Sequence, residues 1–321
     1  MANSSHPANK RQPVILDAHM LARTLGGKVF GRNRILAPGP GHSSQDRSLS
    51  VSLDPSAPDG FLVHSFAGDD PIACRDHVRA LARLPAWAPS CKNQAVMPRP
   101  IIVPAKPTED EERNAAWLQS RIRALWDEGR NPCGSIVQTY LEGRALALPD
   151  EVAGSVLRFH PDCPWKDERG QLIRVPAMIA AMRCIHTDRL KAVHRTRLTP
   201  DGKKVDRRML GDATEAAIKL DADDMVTGGL TIGEGIETVL AARQLGFKPA
   251  WATGSVSTMG TFPVLSGIEV LTLLTEEDKK GANAKAVQTC GTRWHEAGRE
   301  VITVASKTGG DVNDAIKGRA A

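Results

Sequence analysis

Leu230-Thr231-Ile232-Gly233-Glu234-Gly235-Ile236-Glu237 decides how the C-terminal third of this chain folds. A short apolar run closes on a glutamate set between two glycines, and a helix-patterned segment, residues 236–245, follows. That order reads as strand, tight turn and helix. Further along, Pro249 to Ala252, Ile268 to Leu274 and Val301 to Ala305 read as strands, and Ala282 to Ala297 as a helix. Strands and helices alternating at this spacing predict an α/β domain over residues 223–321, a parallel sheet flanked by helices.

Three acidic clusters stand just beyond three of these strands: Glu234 with Glu237, then Glu276-Glu277-Asp278, then Asp311-Val312-Asn313-Asp314. In an open parallel sheet, ligands gather outside the carboxyl ends of the strands. A glutamate between glycines lets backbone approach closely and leaves the carboxylate room to act as acid or base. Magnesium takes a few carboxylates and keeps places for water and phosphate. Any one such cluster also reads as a helix cap or a solvated loop. Three in order, each after a strand, read as a site.

Upstream, residues 111–222 predict an α+β subdomain. A helix spans about Glu111 to Glu128, another Ile136 to Leu141, and strands with turns fill 155–220. Pro200-Asp201-Gly202 is a hairpin turn. Residues 183–208 hold nine Lys or Arg against three acids, an excess larger than the +5 of the whole chain. A concentrated positive strip suits a polyanion and equally suits a solvated hairpin face. Residues 91–110 read as a proline-rich linker, with six prolines between 85 and 109. Residues 14–90 read as a small mixed module, and the polar residues 1–13 as a disordered tail.

The 321 residues suffice for more than one buried core, and 41% hydrophobic with 25% charged residues is ordinary for a globular protein. No stretch approaches about 20 apolar residues, so no membrane span is expected. The N-terminal MANSSHPANKRQPVILD lacks the apolar core of a secretory signal, so a cytoplasmic location is expected. The six cysteines (74, 91, 133, 163, 184, 290) form no CxxC pair and read as reduced, structural residues.

At the three clusters the sequence resembles the Toprim family, shared by bacterial primases, topoisomerases and some nucleases. Its pattern is a strand ending in Glu-Gly, a strand ending in Asp-x-Asp and a downstream acidic turn. Here these are Ile232-Gly233-Glu234-Gly235, Leu274-Thr275-Glu276-Glu277-Asp278 and Gly310-Asp311-Val312-Asn313-Asp314. The resemblance implies that Glu234 is the general acid/base or a metal ligand, and that Glu276 and Asp278 hold Mg²⁺ or Mn²⁺. Asp311 and Asp314 would support them, and Glu237, one turn beyond Glu234, would face the same site. The chain departs from the pattern at Glu276, where the family has Asp.

The match extends upstream toward primase-like members. Tyr140-Leu141-Glu142-Gly143-Arg144 resembles the Tyr-Leu-x-x-Arg element that opens the primase core. His194-Arg195-Thr196-Arg197 and Asp206-Arg207-Arg208 resemble the basic hairpin of plasmid and phage members. The resemblance implies that Arg144, Arg195, Arg197, Arg207, Arg208 and Lys219 contact template or nucleotide phosphates. Residues 30–85 are similar to the zinc-ribbon module that precedes such cores. The cysteine positions are here Ala37, Ser65 and Asp69, leaving His42, so a zinc-ribbon-like module lacking zinc ligands is expected and no zinc.

The function implied is a metal-dependent, primase-like nucleotidyltransferase in replication of a plasmid or mobile element. Its partners would be single-stranded DNA, nucleoside triphosphates and a separate helicase, since the chain carries no Gly-x-x-x-x-Gly-Lys loop. A Toprim nuclease and a non-catalytic DNA-binding accessory remain as alternatives. A topoisomerase needs a nucleophilic tyrosine, and the sole tyrosine, Tyr140, lies in the Tyr-Leu-x-x-Arg element.

Overall fold

A computed structural model describes residues 14–306, apart from 56, 58, 85–99, 277 and 279. The chain divides into two compact units, residues 1–115 and 116–321. The expected tail over 1–13, residues 91–99 of the linker, and Asp311 and Asp314 lie outside the described residues.

The first unit runs β1 (Ile15–Asp17), α1 (Ala18–Thr24), β2 (Lys28–Phe30), β3 (Arg34–Ala37), β4 (Leu49–Leu53), β5 (Phe61–Ser65), α2 (Pro71–Leu81) and β6 (Ile101–Val103). Leu16, Met20, Leu21 and Leu25 are spaced as on a helix, yet Ile15–Asp17 form a strand first. Asp17 accepts the Met20 amide at 2.8 Å, an N-cap that delays the helix to Ala18. Strands β2 to β5 form an antiparallel sheet in chain order. One face buries Ile35, Ala37, Leu49, Val51 and Phe61 against Leu21 and Leu25 at α1 and Val78 of α2. The opposite face carries Lys28, Phe30, Arg34, Leu36, Ser50, Ser52, Leu62 and His64, as the register requires. Residues 101–103, read from sequence as linker, instead form β6, paired parallel with β1. The apolar Ile101-Ile102-Val103 run lies between Pro100 and Pro104 and keeps the amides that proline lacks.

The second unit contains most of α3 (Glu109–Asp127), then α4 (Ile136–Glu142), β7 (Leu157–Lys166), β8 (Leu172–Cys184), β9 (Leu190–Leu198), β10 (Lys204–Gly211), β11 (Ala216–Lys219), β12 (Gly229–Gly233), α5 (Ile236–Gln244), β13 (Ala250–Ala252), α6 (Val256–Gly260), β14 (Val270–Leu274), α7 (Ala282–Glu296) and β15 (Glu300–Val304). One nine-stranded sheet runs through it in the order β10-β9-β8-β11-β13-β12-β14-β15, with β7 also on β8. β13, β12, β14 and β15 are parallel, as their βα alternation demands. β11 pairs antiparallel with both β13 and β8, so the two subdomains expected from sequence share a single sheet. Ile122, Leu125 and Trp126 of α3 pack on one face of the antiparallel half with Trp165, Val175 and Val193. Tyr140 and Leu141 of α4 pack on the other with Ala192, Leu198 and Val239. No helix among the described residues is long and apolar enough to cross a membrane.

A candidate acidic site at the ends of β12 and β14

β12 ends at Gly233, where an added Cβ would lie 2.9 Å from Val239 and 3.0 Å from Leu274. Only glycine lets α5 and β14 close this tightly on the strand end. Glu234 follows, with the Gly254 amide donating to its carbonyl at 2.9 Å. Its side chain is buried, and Oε1 accepts from Arg207 Nη2 at 2.8 Å. Glu237, in the first turn of α5, is also buried. Its Oε1 accepts from Lys204 Nζ at 2.9 Å and from the Tyr140 hydroxyl. Burial by itself would raise this carboxyl. The charge and hydrogen bond of Lys204 and the Tyr140 hydroxyl overcome that and hold it at about 2.

Glu276, two residues past β14, joins the same place. Its Oε1 accepts from Thr238 Oγ1 at 2.6 Å, and its amide donates to Asn283 Oδ1 at 3.0 Å. The open side of Gly235 faces Thr238 Oγ1, Glu276 Oε1 and Glu237 Oε2, 3.4, 3.5 and 3.6 Å from where a Cβ would stand. Two carboxylates, Glu237 and Glu276, from two neighbouring strand ends therefore flank the glycine that follows Glu234. His194 is buried close by, its Nδ1 without a partner. Burial, opposed by Glu237 and reinforced by Arg207 and Lys204, depresses it to about 4, so it is neutral.

Other residues that the sequence grouped with these have different partners. Asp278 accepts the amides of Lys280 and Ala282 on Oδ1 at 2.8 and 3.0 Å, and of Asn283 on Oδ2 at 2.6 Å. It caps the start of α7 with both oxygens, where Gly281 turns the chain in the left-handed region, and it lines the same cavity as Glu276. The basic strip divides between two sheet faces. Arg207, opposite Thr196, shares the face of Leu198 and Tyr140. Arg195 and Arg208 pair across the strands on the other face and stack on Trp165 at 5.4 and 4.8 Å. Arg197 lies on that second face too, half-buried, with no hydrogen-bond or ion-pair partner among the described residues. Lys219 is buried over Trp251 and paired with Asp188 and Asp223 at 3.1 and 2.6 Å, away from the glutamates. Arg144 stacks 5.9 Å from the centre of the Tyr140 ring, whose hydroxyl meets Glu237.

Lys204, Tyr140 and Thr238 were not singled out from sequence as partners of the acids. Lys204 is hidden by a β-bulge. The register slips between Lys204, opposite Leu198, and Asp206, opposite Arg197. The extra residue puts Lys204 and Arg207, three apart, on one face, which strict alternation would forbid.

As for metal, no three His, Cys, Asp or Glu side chains among the described residues stand together as a ready cage. The donor chemistry at Gly235 is oxygen only, the kind Mg²⁺ and Mn²⁺ take, and the carboxylates there are Glu276 and Glu237, with Glu234 the preceding residue.

Residues 229–321 match the family model of the Toprim domain, and residues 116–220 match that of a domain of unknown function, DUF7146. The C-terminal segment, residues 229–321, is a Toprim domain. Among curated proteins nothing matches. Solved structures similar to the chain include a DNA primase domain from Pseudomonas aeruginosa, 15% identical with a TM-score of 0.47, covering 63% of this chain and 74% of that one. The zinc-binding and RNA polymerase domains of the Aquifex aeolicus primase are 13% identical with a TM-score of 0.46, covering 94% and 79%. The primase fragment of the bacteriophage T7 primase-helicase is 12% identical with a TM-score of 0.39, covering 88% and 93%.

Proposed function

We propose that the chain is a metal-dependent, primase-type nucleotidyltransferase that extends a 3′-hydroxyl with nucleoside triphosphates on single-stranded DNA of a plasmid or mobile element. One observation carries the reading: two buried glutamates at the β12 end face two cations, Arg207 and Lys204, from a separate hairpin strand. Acids and cations side by side suit a reaction in which charge passes between a metal-bound hydroxyl and a triphosphate. Glu234 and Glu276 would hold the ion, which when bound lowers the pKa of the attacking hydroxyl and steadies the phosphates. Arg207, Lys204 and Arg144 would turn to the triphosphate, and Glu237 would keep the cations in place while the site is empty of substrate.

Support for nucleic acid comes from two further surfaces. Arg195, Arg197 and Arg208 make a cationic face beside Trp165. In the first unit, the outer sheet face exposes Phe30 (61%), with Phe66 (68%) just past β5, and His64 packed edge-on to Phe66. Lys28, Arg32 and Arg34 stand among them, and no acid occupies a position on that face. Aromatics that stack bases and cations that meet phosphates are what a single strand needs.

A second reading, a non-catalytic DNA-binding accessory, is favoured by Asp278, whose carboxylate serves the α7 amides. Labelled-nucleotide incorporation on single-stranded DNA with Mg²⁺ or Mn²⁺ separates the two, comparing wild type with Glu234→Gln and Glu276→Gln. Template-dependent products lost in both variants support the transferase. Metal-dependent loss of template requiring Glu234 would mean a nuclease. DNA binding indifferent to metal, with no product, would leave the accessory.

A further inference from the structure

In the first unit, the loop between β3 and β4 meets the turn after β5 at His42. Its Nδ1 is 3.0 Å from Asp46 Oδ2 and its Nε2 is 3.1 Å from Asp69 Oδ1. A neutral imidazole has one N–H and one lone pair, so only the imidazolium donates to both carboxylates. Each aspartate is itself held. Asp46 Oδ2 accepts from the Ser48 hydroxyl and from the Gly39 and Ser48 amides, the latter two at 3.3 and 3.2 Å. Asp69 Oδ2 accepts from Ser65 Oγ at 2.7 Å. A Cβ on Gly39 would stand 2.8 Å from Asp69 Oδ2 and 3.3 Å from His42 Nδ1, so the cluster fills the space that glycine leaves.

These are the positions where the zinc-ribbon resemblance sets its metal: Ala37, His42, Ser65 and Asp69. The residues do not fit zinc. Ala37 is a buried methyl, and the Ser65 hydroxyl is spent on Asp69. Both ring nitrogens of His42 already face carboxylates on opposite edges of the ring. No lone pair is left to share an ion with those same oxygens.

We propose that the His42 imidazolium, bridging Asp46 and Asp69, is the structural cross-link of this module and does the work of a metal ion, tying the β3–β4 loop to the turn that opens α2. The site carries one cation against two carboxylates. Around it stand Arg47, which donates to the carbonyls of Ser44 and Asp46, Asp70, which caps α2, and the buried Cys74 thiol. The hydrogen bond to Asp46 raises His42 above its ordinary range, with Asp69 adding to it, and the Ser48 hydroxyl chiefly holds Asp46 low. A raised histidine contributes stability that is complete below its unfolded pKa and is lost as pH rises through the folded one. The cross-link therefore opens on the alkaline side and ignores chelators. It stands whether or not the chain makes primers.

The test uses the full chain. Hydrogen exchange followed by mass spectrometry, corrected for intrinsic rate, reads the peptides covering 39–48 and 65–70 at about pH 5.5 and about pH 8.5, a span that brackets histidine titration. NMR titration of the imidazoles gives the pKa of His42 directly. The expected result is loss of protection at the higher pH, no effect of EDTA, and a His42 pKa above those of the other exposed histidines. His42→Gln and Asp69→Asn should show low protection at both pH values. Stoichiometric zinc in the purified protein, protection lost on chelation, or a His42 pKa at or below the ordinary value would overturn the proposal, even if both variants failed to fold.

Discussion

Tyr140→Phe removes one hydroxyl and keeps the ring. That hydroxyl donates to Glu237, whose carboxylate is 6% exposed and ionised. A hydrogen bond to a charged group contributes about 1.5–3 kcal/mol net. Lys204 still donates to the same oxygen at 2.9 Å, so the carboxylate keeps one partner and the loss falls near the low end, about 1.5–2 kcal/mol. Arg144, stacked on the same ring, should stay in place because the ring stays. Five of the six tryptophans (117, 126, 165, 251 and 294) lie in the second unit, so tryptophan fluorescence during urea unfolding reports on it. With the slope unchanged, the midpoint should fall by roughly 1 M. Combined with Lys204→Met, the two losses should exceed their sum, because the second change leaves the buried charge without either donor. Tyr140 is the sole tyrosine, so DNA-processing activity that survives the change also excludes it as a nucleophile. A variant within about 0.5 kcal/mol of wild type, or a folded variant with all activity gone, would refute this account of Tyr140.

Arg243→Met should cost about 3–5 kcal/mol in the same unfolding assay, because Asp221, bonded to Arg243 at 2.6 and 2.9 Å, is left buried without its cation. Arg197→Ala should change stability by no more than about 0.5 kcal/mol while weakening single-stranded DNA binding. The slope of log affinity against log salt should flatten by about 0.7, as expected when one phosphate is no longer neutralised. An unchanged salt slope would remove Arg197 from the DNA path.

Glu234 was legible because a carboxylate set between glycines at the end of an apolar run has few other uses, and the parallel order of β13, β12, β14 and β15 followed from their spacing. Glu276 was legible by the same strand-end logic. Asp278, read from sequence as a metal ligand, also caps α7, and Asp ahead of a Gly-started helix looks the same for either use. The basic hairpin was visible as charge, but its division between two faces was not. Period-2 reading puts Lys204 with Arg208 and Asp206, and one bulge at Val205 reverses the assignment for Lys204. The role of Trp165 as a floor for Arg195 and Arg208 depends on β7 lying beside β8, a long-range pairing no local pattern announces. The β1–β6 pair was missed for the same reason.

Counting along the sheet, β10 is five strands from β12. Laid flat at normal strand spacing, they would be about 24 Å apart. Arg207 on β10 nonetheless touches Glu234 at the end of β12 at 2.8 Å. The sheet is therefore bent into an arch, and the guanidinium is a tie rod across its opening. The curvature itself is held by the strand ladder and the core beneath it, so the chord brings a guanidinium from one edge strand to a carboxylate five strands away.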